Sequence, residues 1–125
     1  MTPSAVLLIF LSASAVAADP PAPVLTPTQA IKKVNEAVVV EMEVKSTGGR
    51  SNRYLNSQED YKSADNFTIF IDKDVLAKFT DAKIDDPAVY YKGKTIRVMG
   101  TVVVYDGEPR IEIERPDQIK VVDKK

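Results

Sequence analysis

The chain of 125 residues contains no cysteine, no histidine and no tryptophan. Without cysteine there can be no disulfide, no thiol nucleophile, no thiolate metal ligand and no lipid on an N-terminal cysteine. Without histidine the commonest general base near neutral pH is missing. No Gly-x-Ser-x-Gly, Walker or dinucleotide glycine pattern appears either. The residues therefore predict a protein that is not an enzyme and needs no cofactor. Excess charge of one sign is also lacking, with 17 basic against 18 acidic residues, a net of -1. Strong nucleic-acid binders usually carry a basic domain, so any such role would have to rest on a local patch. Long apolar runs are short too: Ala5 to Leu11 falls below the roughly 20 residues that span a bilayer.

That run still has a meaning. Met1 to Ala18 holds no charged residue and ends in Ser14-Ala15-Val16-Ala17-Ala18, the pattern of a signal peptide cleaved after Ala17 or Ala18, although no Lys or Arg precedes the run. Small secreted eukaryotic domains usually lean on disulfides, so a cysteine-free exported chain points to a bacterial periplasm or exterior. No membrane association is expected after cleavage. Residues 19–26 are rich in proline and alanine and read as a flexible lead, leaving 27–125 as one domain.

Gly93 to Val122 is the clearest stretch. Ile96, Val98, Val102 and Val104 alternate with Arg97, Met99, Thr101 and Val103, the period of a strand with one buried face. Gly100 falls at an inward place, where a strand can bend. Asp106-Gly107 marks a tight hairpin turn, and the return strand Arg110 to Glu114 buries Ile111 and Ile113.

Upstream, Thr26-Pro27-Thr28-Gln29 opens a short helix expected over Pro27 to Asn35. Val38, Val40, Met42 and Val44 predict the inner face of a first strand, before a turn at Thr47 to Arg50. Ser51 to Ser57 forms a second strand, Gln58 to Asp65 a polar loop, and Asn66 to Asp72 a third strand with Phe67, Ile69 and Ile71 inward and Thr68 and Phe70 outward. Asn66-Phe67-Thr68 matches a glycosylation sequon and is read as strand. Asp74 can cap a helix whose Val75, Leu76 and Phe79 share a face, and Asp86-Pro87 starts another that Gly93 ends.

Three strands, a helical connection and two strands, with a glycine in the fourth strand, is the order of the OB-fold. The stretches VVVEMEVKSTGGRSNRYLNS, NFTIFIDKDVLAKF and YYKGKTIRVMGTVVVYDGEPRIEIERPDQIKVV resemble small exported bacterial OB-fold proteins, which look like nucleic-acid-binding OB domains. The resemblance covers about Asn35 to Val122. It implies a mainly β protein, a five-stranded OB-fold Greek-key barrel with a helical connection between strands 3 and 4 and a short N-terminal helix. The scaffold serves oligonucleotides, oligosaccharides, proteins and small ligands alike, so the role stays open between binding single-stranded nucleic acid and a periplasmic or cell-surface module for an envelope protein, a glycan or a small ligand.

On the binding face expected for such a barrel, Tyr54 and Phe70 are candidates to stack bases. Arg50 and Arg53 lie beside Tyr54, Tyr61 and Lys62 sit in the adjoining loop, and Arg97, Tyr105 and Arg110 can line a neighbouring edge. An aromatic with an apolar neighbour usually buries itself, and Tyr54 and Phe70 have that alternative. The calcium and arginine set of exported OB-barrel nucleases has no counterpart here. Glu112 and Glu114 read as a solvated edge, and Asp72, Asp74, Asp81, Asp85 and Asp86 miss the spacing of an EF-hand loop.

Overall fold

A computed structural model describes residues 23–122; the expected signal peptide, the first part of the lead and the last three residues lie outside this range. The elements in chain order are β1 (Val24–Leu25), α1 (Pro27–Ala30), β2 (Ala37–Glu43), β3 (Ser46–Gly48), β4 (Arg53–Asn56), β5 (Thr68–Ile71), a 3₁₀ turn (Lys73–Val75) leading into α2 (Leu76–Asp81), α3 (Pro87–Tyr91), β6 (Thr95–Tyr105), β7 (Glu108–Ile113), a second 3₁₀ turn (Pro116–Gln118) and β8 (Ile119–Val121). The protein is mainly β, with an open mixed sheet in the order β1-β2-β6-β7-β5-β4-β3 and β8 paired to β6.

The strand order is OB-like, but the sheet has eight strands rather than five and is not a closed barrel. The main reason is local. The expected first strand breaks at Val44–Lys45, because the two residues bond to different neighbours: the Val44 N–H donates to the Lys94 carbonyl (2.9 Å) and the Lys45 N–H to the Asn56 carbonyl (3.0 Å). One chain segment thus serves β6 through β2 and β4 through β3. The remaining strands come from the ends. Val24–Leu25, expected within a flexible lead, pairs in parallel with Val39 and Val40, and Ile119–Val121 pairs with Ile96–Val98.

Several boundaries shift for identifiable reasons. Thr26 and Gln29 form the expected capping box, with the Thr26 N–H donating to Gln29 Oε1 at 2.9 Å. The helix nevertheless ends at Ala30, and Asn35 at φ 70° redirects the chain into β2. At the connection, Asp72 rather than Asp74 caps the helical segment, accepting from the Asp74 N–H, because Asp72 is the last extended residue. Asp86 caps α3 as expected, accepting from the Ala88 N–H at 3.0 Å.

The core is built from the inward positions of the strands: Val38, Val40 and Met42, then Leu55, then Phe67, Ile69 and Ile71, then Ile96, Val98 and Val102, then Ile111 and Ile113. Phe79 of α2 and Tyr91 of α3 close it, their rings edge to face with centroids 6.4 Å apart. Fully burying a ring such as Phe79 stabilises by roughly 1.5–3 kcal/mol. Val104, expected inward, is 52% exposed; it pairs with Pro109 next to the hairpin turn, beyond Val102, the last buried position of β6. Gly100 stands where β6 passes from pairing with β8 to pairing with β7; a Cβ there would lie 2.5 Å from Ile111 Cγ2. Gln118, buried beside it, donates from Nε2 to the Met99 carbonyl and accepts the Glu114 and Arg115 N–H groups on Oε1.

Candidate functional site

The outward residues of β3, β4 and β5, the 57–67 loop and the β6–β7 hairpin enclose a groove of about 540 Å³. Strand alternation places its residues. Tyr54 and Asn56 flank the inward Leu55 on β4, and Thr68 and Phe70 flank Ile69 on β5. The hairpin brings Tyr105, Glu108 and Arg110 to the same face through a turn in which Asp106 (φ 53°) and Gly107 (φ 79°) are both left-handed. Gly49, at φ 108°, ends β3 so closely over the chain that a Cβ would lie 2.1 Å from the Asn52 carbonyl oxygen.

The floor is polar and internally bonded. Asn66 Nδ2 donates to Thr68 Oγ1 (3.0 Å), Thr68 Oγ1 donates to Asn56 Oδ1 (3.0 Å), Asn56 Nδ2 donates to Ser46 Oγ (3.3 Å), and Ser46 Oγ donates to the Gln58 carbonyl (2.6 Å). Buried polar groups need such partners, and this chain of bonds fixes β3, β4, β5 and the adjoining loop relative to one another. Ser46, Asn56 and Thr68 had no distinguishing mark in the sequence, because single small polar residues in strands carry no spacing signal.

Above the floor lies a stack. The Arg110 guanidinium carbon is 3.9 Å from the centroid of Phe70 and 4.1 Å from that of Tyr105. Tyr54 continues it at 5.4 Å from Phe70, tilted by 52°. Arg110 also donates from Nε and Nη2 to Glu112 Oε2, at 3.0 and 2.6 Å. The outward side chain of Phe70 is therefore 8% exposed, a covered layer rather than the free platform expected of it. Tyr105, at 62% exposure, is the open end of the stack, and Tyr61 stands exposed on the loop side of the groove.

The nine sequence candidates separate accordingly. Tyr54, Tyr61, Tyr105 and Arg110 line the groove, and Phe70 supports it. Arg50 and Lys62 follow the lining residues Gly49 and Tyr61 directly, are exposed, and make no ion pair among the described residues. Arg53 is turned away: its Nε bonds Asp86 Oδ1 at 2.9 Å and its Nη1 donates to the carbonyls of Arg50, Ser51 and Asn52. Arg97 is paired with Glu41 at 2.8 Å on the β2–β6 ladder and does not reach the groove.

The groove carries negative charge as well. Glu59, Asp106 and Glu108 line it, and among the described residues its one lining cation, Arg110, already faces Glu112. Among the described residues no group of three or more Asp or Glu side chains could hold a metal ion, and no helix is long and apolar enough to cross a membrane.

No protein-family model matches the chain, and no curated protein matches it. Solved structures do. The chain is similar to asparaginyl-tRNA synthetase from Pyrococcus horikoshii, at a TM-score of 0.53 and 14% identity over 78% of this chain. It spans 22% of that synthetase's length. It is also similar to two OBodies bound to hen egg-white lysozyme. One, AM1L10, gives a TM-score of 0.55 at 14% identity; the other, AM3L09, gives 0.56 at 12%. Each match covers 86% of this chain and all of the OBody. At these identities the likeness concerns the fold alone, and it agrees with the OB-like strand order.

Proposed function

We propose that the protein is an exported binding module without catalytic chemistry, and that it takes single-stranded nucleic acid in the groove between β3, β4, β5 and the β6–β7 hairpin. The observation that carries this reading is the gathering of Tyr54, Tyr61 and Tyr105 around one groove on an OB-like scaffold. Every base has a face to stack, and each stacked ring contributes roughly 1–3 kcal/mol. Three rings at about 2 kcal/mol each correspond to a Kd on the order of tens of micromolar before any phosphate contact. Export to a periplasm or exterior rests on the apolar run and small-residue end of residues 1–18. Two solved likenesses supply precedent for both kinds of macromolecular partner, one being a tRNA synthetase and the other an OBody bound to a protein.

A second reading, a protein segment in the same groove, is favoured by Glu59, Asp106 and Glu108, whose carboxylates suit a basic partner.

Fluorescence anisotropy with labelled thymidine and uridine decamers, at low and at physiological salt, tests the first reading. Micromolar to tens-of-micromolar binding, weakened about thirtyfold by Tyr54→Ala or Tyr105→Ala in a variant that stays folded, is the expected result. No binding even at low salt contradicts it and leaves the protein-segment reading.

A further inference from the structure

The groove joins two features that a phosphate backbone finds incompatible. Its walls present tyrosine rings, yet Glu59, Asp106 and Glu108 line it and Arg110 is already bonded twice to Glu112. A phosphate drawn inside would face three carboxylates and a neutralised guanidinium. Arg50 and Lys62, which carry no ion pair among the described residues, follow the lining residues Gly49 and Tyr61 in sequence but are not themselves part of the lining.

We propose that a single strand enters the groove bases first, with its phosphates held outside the carboxylate lining and touched only by Arg50 and Lys62. This rests on the nucleic-acid reading above and adds an orientation and a ligand class to it: planar heterocycles on a backbone whose charge contributes little. The polar floor of Ser46, Asn56 and Thr68 then faces base edges rather than phosphate oxygens. Like-charge exclusion sets the orientation, and stacking supplies the affinity.

The orientation has a quantitative signature. Two phosphate contacts on a single strand give a slope of about -1.4 for log affinity against log salt, so raising salt from 50 to 200 mM costs about sevenfold. A methylphosphonate backbone, which carries no charge, should cost little.

The test compares a thymidine decamer with its methylphosphonate counterpart, binding the full chain at 50 and 200 mM salt. The inference expects both to bind within about fivefold of each other at 200 mM, with a slope near -1.4 for the phosphodiester and near zero for the methylphosphonate. Phosphodiester binding with a slope steeper than about -3, or a loss of more than about a hundredfold with the neutral backbone, overturns the orientation while leaving nucleic-acid binding intact. Failure of both oligomers at 50 mM overturns the orientation together with the reading beneath it.

Discussion

The guanidinium of Arg110 lies 4.1 Å from the centre of the Tyr105 ring, so the most exposed aromatic of the groove is held from below by a side chain that is itself only 9% exposed. Phe70 stands on the other side of the same guanidinium, and Glu112 fixes its edge. The stack sets the ring in place before any ligand arrives, which reduces the ordering cost of binding.

Arg110→Ala should therefore lose two cation–π contacts and the packing of the side chain's stem, destabilising by about 2 kcal/mol. Arg110→Lys should recover little of this, because an ammonium cannot lie flat between two rings. Urea denaturation midpoints of the two variants provide the check, and full recovery in the Lys variant would contradict the stacked geometry.

Asp86 does two jobs with one oxygen: Oδ1 accepts from the Ala88 N–H at the start of α3 and from Arg53 Nε. Asp86→Asn keeps a capping oxygen and loses the ion pair, which is partly exposed, so its cost should stay below about 1 kcal/mol. Asp86→Ala loses both, for about 1–2 kcal/mol. Equal costs for the two variants in chemical denaturation would assign the whole effect to the ion pair.

Gly100→Ala should destabilise by about 1–3 kcal/mol, because the added Cβ meets Ile111 Cγ2 at 2.5 Å inside a filled core. Adding Ile111→Leu, which lacks the Cγ2 methyl that the new Cβ meets, should return part of that loss. Strictly additive costs would argue against direct contact between the two sites.

Burial, aided by the neighbouring Tyr90, pushes the Tyr91 phenol up from 10.0 to about 12. Below pH 10 the phenol is protonated whether the chain is folded or not and gives no pH dependence. Between pH 10 and 12 the unfolded chain releases the proton and the folded one keeps it, so folding stability falls, by on the order of 1 kcal/mol per pH unit. Tyr91→Phe removes this component, and the difference between the two proteins' stability–pH curves above pH 10 measures it.

Much of the architecture was legible because period-2 alternation survives wherever one strand face is buried: β2 and the Ile96–Val102 part of β6 read directly from their aliphatic residues, and β5, buried on both faces, from its Ile69 and Ile71. The capping box at Thr26 and the turn at Asp106-Gly107 read from local chemistry in the same way. The break at Val44–Lys45 did not, because it depends on which neighbours accept the two backbone N–H groups, and alternation continues across it. The strand at Val24–Leu25 was hidden for a similar reason, since two residues among prolines carry no period.

For the site, residue type proved more legible than role. Tyr54, Tyr61, Tyr105 and Arg110 were singled out as aromatic and basic, and they meet at the groove. Arg53 and Arg97 had the same credentials, but each finds a carboxylate across the fold, Asp86 and Glu41, that sequence distance concealed. Phe70 points outward as its parity requires and is covered all the same, because Arg110 reaches over it from β7.

Whether nucleic acid binds in the tyrosine groove is read residue by residue from amide chemical shifts of the isotope-labelled protein titrated with a thymidine decamer. Binding there shifts amides at Ser46 to Gly49, Tyr54, Asn56, Tyr61, Thr68 and Tyr105 to Arg110, with the ladder around Glu41 and Arg97 unmoved. Shifts centred on that ladder, or none at saturating oligomer, would contradict it.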